Sequence, residues 1–358
     1  MAEKHYFACG NTAKGFQNLF ASNLSKLKKI YILKGGPGNG KSTLMKKIGK
    51  SFEEKYLVEY IHCSSDSHSL DGVIVRELGF AVVDGTAPHV IEPTVPGCIE
   101  EYVNIGSAWL TRKLKPHQSE IIKLQDEIAS CYPRAYDAFG RAMKVHDEWE
   151  KIYIKNMDYD KANELTDVII KDILKDNSYE KESKVYHRFF GASTCDGPVD
   201  FVESIIEPMK NRYFIKGRPG SGKSTMLKKL MVHAQMKGLD VEVYHCGFDP
   251  NSLDMILLPE LSTVIFDSTA PHEYFPARED DVVVDMYKEL ITEGTDEKYA
   301  EELEDIKARY RACIQEGVSY LKKAKDLHDL LEAYYIKATE FRVVEVLLNQ
   351  ILIEVEKL

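Results

Sequence analysis

Residues 30–48, IYILKGGPGNGKSTLMKKI, recur at 212–230 as RYFIKGRPGSGKSTMLKKL, with eleven of the 19 positions identical. In both stretches an apolar segment leads into a glycine-rich loop, and a lysine-rich segment follows. Glycine permits positive φ and a close approach of the backbone, and loop amides at the N-terminus of a helix attract anions. The stretch therefore predicts a strand, a phosphate-binding loop and a helix, twice in one chain.

The repeat extends over nearly the whole chain. VEYIHCSSDSHSLD from Val58 matches VEVYHCGFDPNSLD from Val241, and FAVVDGTAPH from Phe80 matches TVIFDSTAPH from Thr263. Further on, HDEWEKIYIK matches HDLLEAYYIK, so that His146-Asp147 corresponds to His328-Asp329. We therefore expect two domains, 1–182 and 183–358, joined by the polar stretch 175–184.

The order of the segments predicts an α/β fold. In each copy apolar strands alternate with helices, one of which is expected to open near SLD at Leu70 and Leu253, and this alternation implies a mainly parallel sheet flanked by helices. Apolar residues at helical spacing predict a C-terminal helical segment of roughly 80 residues in each copy. Because Pro133 and Gly317 interrupt that pattern, we expect helical hairpins and not one rod.

The composition narrows the function classes. A net charge of −10 argues against a broad surface for nucleic acid or an anionic membrane. Seven scattered cysteines without a CxxC pair are typical of reduced thiols in the cytoplasm. No window approaches the roughly 18 apolar residues of a membrane span, and the N-terminus has no apolar signal stretch. We expect a cytoplasmic protein that binds a nucleotide, with a protein partner or a second copy of the chain as further possibilities.

Both glycine-rich loops fit G-x-x-x-x-G-K-[ST], a pattern typical of loops that bind nucleotide phosphates. The loop amides surround the phosphates, the lysine reaches the β and γ phosphates, and the serine hydroxyl ligates Mg²⁺. The predicted cofactors are therefore ATP, or another nucleoside triphosphate, and Mg²⁺. The residues expected to hold the nucleotide are Gly35, Gly38, Asn39, Gly40, Lys41, Ser42 and Thr43 in the first copy and Gly217, Gly220, Ser221, Gly222, Lys223, Ser224 and Thr225 in the second.

On these motifs the sequence resembles the P-loop NTPases. More narrowly, the duplicated layout with its HC…D…SLD and D-x-T-A-P-H signatures is similar to a bacterial family of tandem P-loop proteins described as ATPase-like. The resemblance covers the whole chain and implies two tandem P-loop domains with nucleotide binding. It implies no particular substrate.

An aspartate ends the FAVVD and TVIFD strands. Asp84 and Asp267 are expected to hold Mg²⁺ together with Ser42 and Ser224; the alternative is an aspartate that caps the following turn. Many P-loop ATPases resemble one another in carrying a glutamate directly after this acid, whereas this chain has glycine and serine there. That difference implies slow hydrolysis, a base from elsewhere, or transfer to a substrate other than water.

Two further repeated pairs are candidates for the missing chemistry. Asp66 and Asp249 follow the second apolar strand, where an acid can contact or deprotonate an acceptor, or simply cap the helix expected at SLD. His89 and His272 lie five residues past the strand-end acid and can act as phosphate sensors or proton shuttles because their pKa is near neutrality; the alternative is a loop histidine bonded to the backbone. Adjacent His-Cys pairs at 62–63 and 245–246 point to opposite faces of a strand, which argues against a metal site made by both.

These features favour a Mg²⁺-dependent, slow ATPase with two nucleotide sites, in which nucleotide binding or hydrolysis changes the relation between the halves. Two alternatives remain open at the level of the sequence. One is a phosphotransferase that uses Asp66 or Asp249 toward a small acceptor. The other is a nucleotide-dependent switch or scaffold without turnover.

Overall fold

The computed structural model describes residues 3–358, and its centre is a mixed sheet of twelve strands. The strands are β1 Glu3–Phe7, β2 Cys9–Thr12, β3 Gly15–Asn18, β4 Lys29–Lys34, β5 Val58–His62, β6 Leu70–Val75, β7 Phe80–Asp84, β8 Glu100–Asn104, β9 Val185–Phe189, β10 Gly191–Thr194, β11 Gly197–Asp200, β12 Asn211–Lys216, β13 Val241–His245, β14 Leu253–Leu258, β15 Thr263–Asp267 and β16 Val282–Asp285. The helices are α1 Phe20–Leu24, α2 Lys41–Phe52, α3 Thr111–Leu114, α4 Gln118–Lys155, α5 Tyr159–Leu174, α6 Val202–Ile206, α7 Lys223–Met236, α8 Met286–Leu290, α9 Thr295–Lys298, α10 Ala300–Lys337 and α11 Phe341–Val355.

The sheet consists of two half-sheets with the same strand order, one from each copy. The order β16-β12-β15-β14-β13-β9-β1-β5-β6-β7-β4-β8 runs symmetrically outward from its centre, where β9 and β1 meet in one antiparallel pair, Phe7 with Phe189. In the first half, β4 lies parallel between β7 and β8, and β1 is parallel to β5. The predicted α/β class, with a largely parallel sheet, flanking helices and C-terminal helical segments, is confirmed.

The expectation of a helix opening near SLD is wrong. Residues Leu70–Val75 and Leu253–Leu258 form β6 and β14, and each is antiparallel to both of its neighbours. Every residue of β6 is buried. In β6, Asp71 is the one charged residue among mostly apolar neighbours, and burial on both faces leaves no periodicity that separates a strand from a buried helix, so the pattern alone could not decide.

The expectation of helical hairpins is also wrong, because α4 and α10 are each one continuous helix of 38 residues. We call these two helices the arms. They pack antiparallel, with Arg141 paired to Glu316 and Arg309 paired to Glu148, each at 2.8 Å. Gly317 packs directly against the other arm, since a Cβ there would come 2.3 Å from the Phe139 ring. The glycine therefore allows the close approach of the arms instead of breaking its helix.

Each arm carries the following helix to the other copy. Helix α5 buries Ile169, Ile170 and Ile173 in the core of the second half-sheet, and α11 buries Val344 and Leu348 in the core of the first. Backbone hydrogen bonds fix both junctions, from Leu110 to Ala338, Glu340 to Ala108, Asp158 to Leu290 and Thr292 to Asn156. The two copies thus exchange their C-terminal helices, while the division into 1–182 and 183–358 stays a prediction about the sequence repeat.

Charged side chains are buried where the half-sheets meet. Arg188 is 0% exposed and donates hydrogen bonds to Glu59 and Glu242, each at 2.9 Å. Lys4 adds a second partner for Glu242, and Arg76 adds one for Glu59. Burial works against the charge of Glu59, but Arg188, Arg76 and Lys4 outweigh it and lower the pKa of Glu59 to about 2. This ionic network joins the two copies at the centre of the sheet.

The described helices include none that is both long and apolar enough to cross a bilayer. The arms are long, but both carry charged residues throughout. All seven cysteines are unpaired.

Acidification is expected to destabilise the protein through His62. Its Nε2 lies 2.8 Å from His5 Nδ1, and its Nδ1 donates to the Ser67 carbonyl at 2.6 Å. Burial, with a contribution from His5, lowers the pKa of His62 from 6.5 to about 4. The unfolded chain then binds this proton first, and the free energy of unfolding should fall as the pH drops from 6.5 to 4. Denaturant titrations across this range should show a smaller fall for His62→Gln and an unchanged fall for the exposed neighbour His68→Gln.

Candidate functional site

Two glycine-rich loops, residues 35–43 and 217–225, lie at the carboxyl ends of β4 and β12. Gly40 and Gly222 adopt the left-handed region, at φ 81° and 87°, and the helices α2 and α7 begin at the next residue. These helices have 12 and 14 residues, long enough for their aligned amides to carry a partial positive charge at the loop. The sequence prediction of a strand, a loop and a helix is confirmed in both copies.

The loop lysine faces the acid that ends the neighbouring strand. Lys41 Nζ donates to the Gly36 carbonyl at 2.6 Å and lies 3.5 Å from Asp84 Oδ2. Strands β4 and β7 are parallel and adjacent, with Leu33 opposite Asp84, so the acid emerges beside the loop. The equivalent contacts in the second copy join Lys223 to Arg218 O at 3.2 Å and to Asp267 Oδ2 at 3.3 Å.

The strand-end acid both caps a turn and faces the lysine. Asp84 Oδ1 accepts hydrogen bonds from the Thr86 amide at 2.9 Å and hydroxyl at 2.6 Å, which leaves Oδ2 toward Lys41. Ser42 Oγ accepts the Leu70 amide at 3.0 Å. The corresponding residues of the second copy are Asp267, Thr269, Ser224 and Leu253. A serine hydroxyl and a free carboxylate oxygen are the hard donors that Mg²⁺ prefers, so the residues fit the predicted ion.

Each arm also contacts the glycine-rich loop of the other copy. The Gly38 amide donates to Glu332 Oε1 at 3.1 Å, and on the first arm the backbone of Glu150 lies against Gly220. Burial, with Asp147 and Asp249 nearby, raises the pKa of Glu150, while the Gly220 amide opposes that rise. Each loop therefore meets an acid from the C-terminal segment of the other copy. The repeated H-D-x-x-E at 146–150 and 328–332 is a signal for these acids, but the repeat does not indicate which loop each acid contacts.

The two loops differ at one buried position. Asn39 accepts the Gly36 amide at 2.7 Å and donates to the Thr339 hydroxyl at 2.7 Å, which ties the loop to the exchanged segment. The equivalent Ser221 is 1% exposed, and its hydroxyl has no hydrogen-bond partner among the described residues. Met157 occupies the position of Thr339 and offers no hydroxyl. At this position the second loop therefore lacks the side-chain hydrogen bonds that hold the first.

The structure places Asp66 and Asp249 in turns. Asp66 accepts the His68 amide at 3.1 Å and the Ser69 hydroxyl at 2.9 Å, as a capping aspartate does. Asp249 makes the same kind of contacts and also pairs with Lys14 at 2.8 Å. Both acids therefore cap turns and not the helix expected at SLD, where the structure has a strand; a role for either acid toward an acceptor stays a prediction.

His89 and His272 have different surroundings. His89 is buried beside Asp71, with its Nε2 3.3 Å from Asp71 Oδ1. Burial works against a charged ring, but the Asp71 carboxylate outweighs it, so the pKa of His89 lies well above its usual range. His272 instead donates from Nδ1 to Asp200 Oδ2 at 2.6 Å. The prediction of a sensor or proton shuttle stays open for both, and the two copies are not equivalent at this position.

Sequence reasoning missed a second acid beside each strand-end acid. In the antiparallel β6–β7 register, Gly72 faces Val83, so Asp71 comes next to Asp84 on the adjacent strand. Asp254 is placed likewise beside Asp267, and burial together with that neighbour raises the pKa of Asp254 to about 7. The signal was the SLD triplet present in both copies, which was interpreted as the start of a helix.

An open cleft lies beside the second loop. It is lined by Lys216, Gly217, Arg218, Thr269, Ala270, Glu273, Asp285 and Tyr287. Arg218 has no counterpart in the first loop and is held by Asp296 at 2.8 Å over the Tyr287 ring.

Comparison of the chain with protein-family models, with curated proteins and with solved structures gave no match. The chemistry of the site therefore has to be inferred from its own residues.

Proposed function

We propose that this chain is a Mg²⁺-dependent protein that binds ATP or another nucleoside triphosphate at two sites and hydrolyses it slowly. The observation that carries the proposal is the lysine of each glycine-rich loop, held between a loop carbonyl and the strand-end acid at the start of a helix. The resemblance to P-loop NTPases supports the finer interpretation that each copy contributes one P-loop domain. A cytoplasmic location, compatible with seven unpaired thiols, belongs to the same proposal.

The loop amides, Lys41, Ser42 and Asp84 have separate roles in binding at the first site. Its amides bind phosphate oxygens at the N-terminus of α2, and the Lys41 ammonium exchanges the Gly36 carbonyl for a phosphate oxygen. Ser42 and Asp84 would hold Mg²⁺, which, when bound, offsets phosphate charge. Lys223, Ser224 and Asp267 have the same roles in the second copy.

Glu332 and Glu150, the two acids that the arms place at the loops, connect nucleotide binding to the arms. A phosphate oxygen and the Glu332 carboxylate compete for the Gly38 amide, so a nucleotide must move Glu332 away. Glu332 belongs to the second copy, and its movement therefore changes the relation between the halves. This contact also makes a nucleotide-dependent switch with negligible turnover the second candidate function.

Binding stoichiometry tests the proposal. Calorimetric titration with a non-hydrolysable ATP analogue and Mg²⁺ is expected to give two sites per chain. Lys41→Ala and Lys223→Ala should each leave one site, because each removes the cation that faces the β and γ phosphates of its own loop only. The exposed Lys50→Ala on α2 is a matched control and should retain both sites. A wild-type stoichiometry of one, or of zero, would refute the two-site proposal.

Intrinsic hydrolysis is expected to be slow, well below the common enzymatic turnover of roughly 10 s⁻¹. Hydrolysis needs a group that orients water, and the position after Asp84 or Asp267 supplies only Gly85 or Ser268. No arginine recurs at both loops to stabilise the transition state; loss of such groups lowers rates by roughly 10³–10⁵. Steady-state phosphate release by the purified chain with Mg²⁺ is the measurement. A turnover of several per second without a partner would show that another residue supplies this chemistry, and His89 and His272 would be the first to mutate.

A further inference from the structure

Three side chains with metal-binding chemistry converge beside the first glycine-rich loop. Cys63 follows β5, Asp71 is on β6, and His89 comes from the loop after β7. One donor atom from each of the three lies within 4.8 Å of the other two. The adjacent His62 is not part of the group, because it faces His5 on the neighbouring strand. His62 and Cys63 do point to opposite faces of the strand, and the cluster includes only Cys63 of the two.

Two polar atoms of the cluster are buried without a partner. Asp71 is 4% exposed and His89 6% exposed. Within residues 3–358, neither Asp71 Oδ2 nor His89 Nδ1 has a hydrogen-bond partner. Buried polar groups are almost always satisfied, because an unpaired one loses its solvation without compensation. Unpaired atoms on two converging side chains indicate a ligand that the protein does not supply.

We propose that Cys63, Asp71 and His89 bind Zn²⁺ or a chemically similar transition-metal ion. Sulfur and imidazole ligands select such ions over Mg²⁺ and Ca²⁺, which take oxygen ligands. On binding, the Cys63 thiol proton and the proton on the ligating nitrogen of His89 leave to solvent, and the resulting thiolate together with the Asp71 carboxylate neutralises the divalent charge. Three protein ligands leave a fourth position for water or a substrate, as in catalytic zinc sites. The site does not depend on nucleotide binding, although Asp71 neighbours Asp84.

The second copy contains the same three residue types but does not bring them together. His272, the counterpart of His89, donates to Asp200, which also accepts the Tyr274 hydroxyl at 2.5 Å. The first copy has Asn18 and Ile91 at the positions of Asp200 and Tyr274, so His89 has no such competing carboxylate. Among the described residues, the convergence of cysteine, aspartate and histidine is confined to the first copy. The expected stoichiometry is therefore about one ion per chain.

Metal titration of the full chain tests the site. The protein is stripped with a chelator, and Zn²⁺ binding is measured by competition with a chromophoric chelator in excess Mg²⁺ without nucleotide. One Zn²⁺ should bind, and Co²⁺ in its place should show the near-ultraviolet charge-transfer absorption of a thiolate–cobalt bond. Cys63→Ser and His89→Gln should each weaken Zn²⁺ binding by roughly 100-fold or more, because removal of a ligand exceeds the 10–100-fold cost of removing a group that only supports one.

Cys246→Ser is the matched control, because it changes the equivalent cysteine of the copy in which the ligands do not converge. It should leave both the Zn²⁺ affinity and the cobalt absorption unchanged. If a ligand variant fails to fold, the Zn²⁺ affinity and the cobalt–thiolate absorption of the wild-type protein and of Cys246→Ser still test the proposal. No Zn²⁺ binding in excess Mg²⁺, a cobalt complex without thiolate absorption, or equal losses in Cys63→Ser and Cys246→Ser would overturn the proposal.

Discussion

Replacement of Arg188 by alanine is expected to lower the free energy of unfolding by about 3–5 kcal/mol, the cost of removing one partner from a buried ion pair. The Arg188 side chain is fully buried, and its guanidinium bonds to both Glu59 and Glu242 as well as to Asn23 at 2.9 Å. Without it, the cations that still pair with the two buried carboxylates are Lys4 and Arg76. The loss falls at the junction of β1 and β9, so the two half-sheets should also separate more easily.

Arg309→Ala is the matched control, because Arg309 also pairs with two carboxylates, Glu148 and Asp305, but on the solvent-facing side of the arms. Exposed pairs contribute about 0–1 kcal/mol, so this variant should be nearly as stable as the wild type. Denaturant unfolding followed by both circular dichroism and tryptophan fluorescence is the measurement. Equal stability losses in the two variants would show that burial of Arg188 does not determine the strength of its network.

The sequence predicted the loops because their signal is local. Each fits an eight-residue pattern in which every glycine and the lysine have a defined backbone or charge role, and the repeat supplies the same pattern twice. Strand β6 could not be predicted in the same way, since LDGVIV is buried on both faces and shows no alternation of polar and apolar residues. Arg188 was hidden for another reason. Its counterpart in the repeat is Tyr6, so the alignment of the copies gives no hint of a buried charge.

The exchange of helices could not be read from the sequence because the copies are alike. The apolar face of α11 buries Val344 and Leu348 against the first half-sheet, yet a pattern of apolar residues fits either of two similar sheets equally well. The length of the arm determines which of the two half-sheets the following helix reaches. A continuous helix of 38 residues spans roughly 57 Å at about 1.5 Å per residue, which carries the chain past its own loop to the other one. The sequence-based expectation of hairpins at Pro133 concealed that length.

Because each arm contacts the loop of the other copy, an acid of one copy should affect nucleotide binding at the loop of the other. In a chain carrying Lys223→Ala, so that only the first loop binds, Glu332→Ala is expected to tighten binding of Mg²⁺ and an ATP analogue by about tenfold or more. The Gly38 amide donates to Glu332 before nucleotide binds, and a hydrogen bond to a charged group contributes about 1.5–3 kcal/mol that a phosphate must replace. Each 1.4 kcal/mol corresponds to about a factor of ten in affinity. Glu332→Gln, which retains an acceptor but loses the charge, should give an intermediate gain.

Glu150→Ala in the same Lys223→Ala chain is the control, because Glu150 contacts Gly220 of the disabled loop and not the first loop. It should leave the affinity of the first site unchanged. In a chain carrying Lys41→Ala the two substitutions should exchange roles, with Glu150→Ala tightening the second site and Glu332→Ala neutral. Weaker binding on removal of Glu332 would mean that this acid supports the bound nucleotide instead of competing with it. An equal response of the first site to both substitutions would contradict the crossed arrangement, in which the arm of one copy reaches the loop of the other.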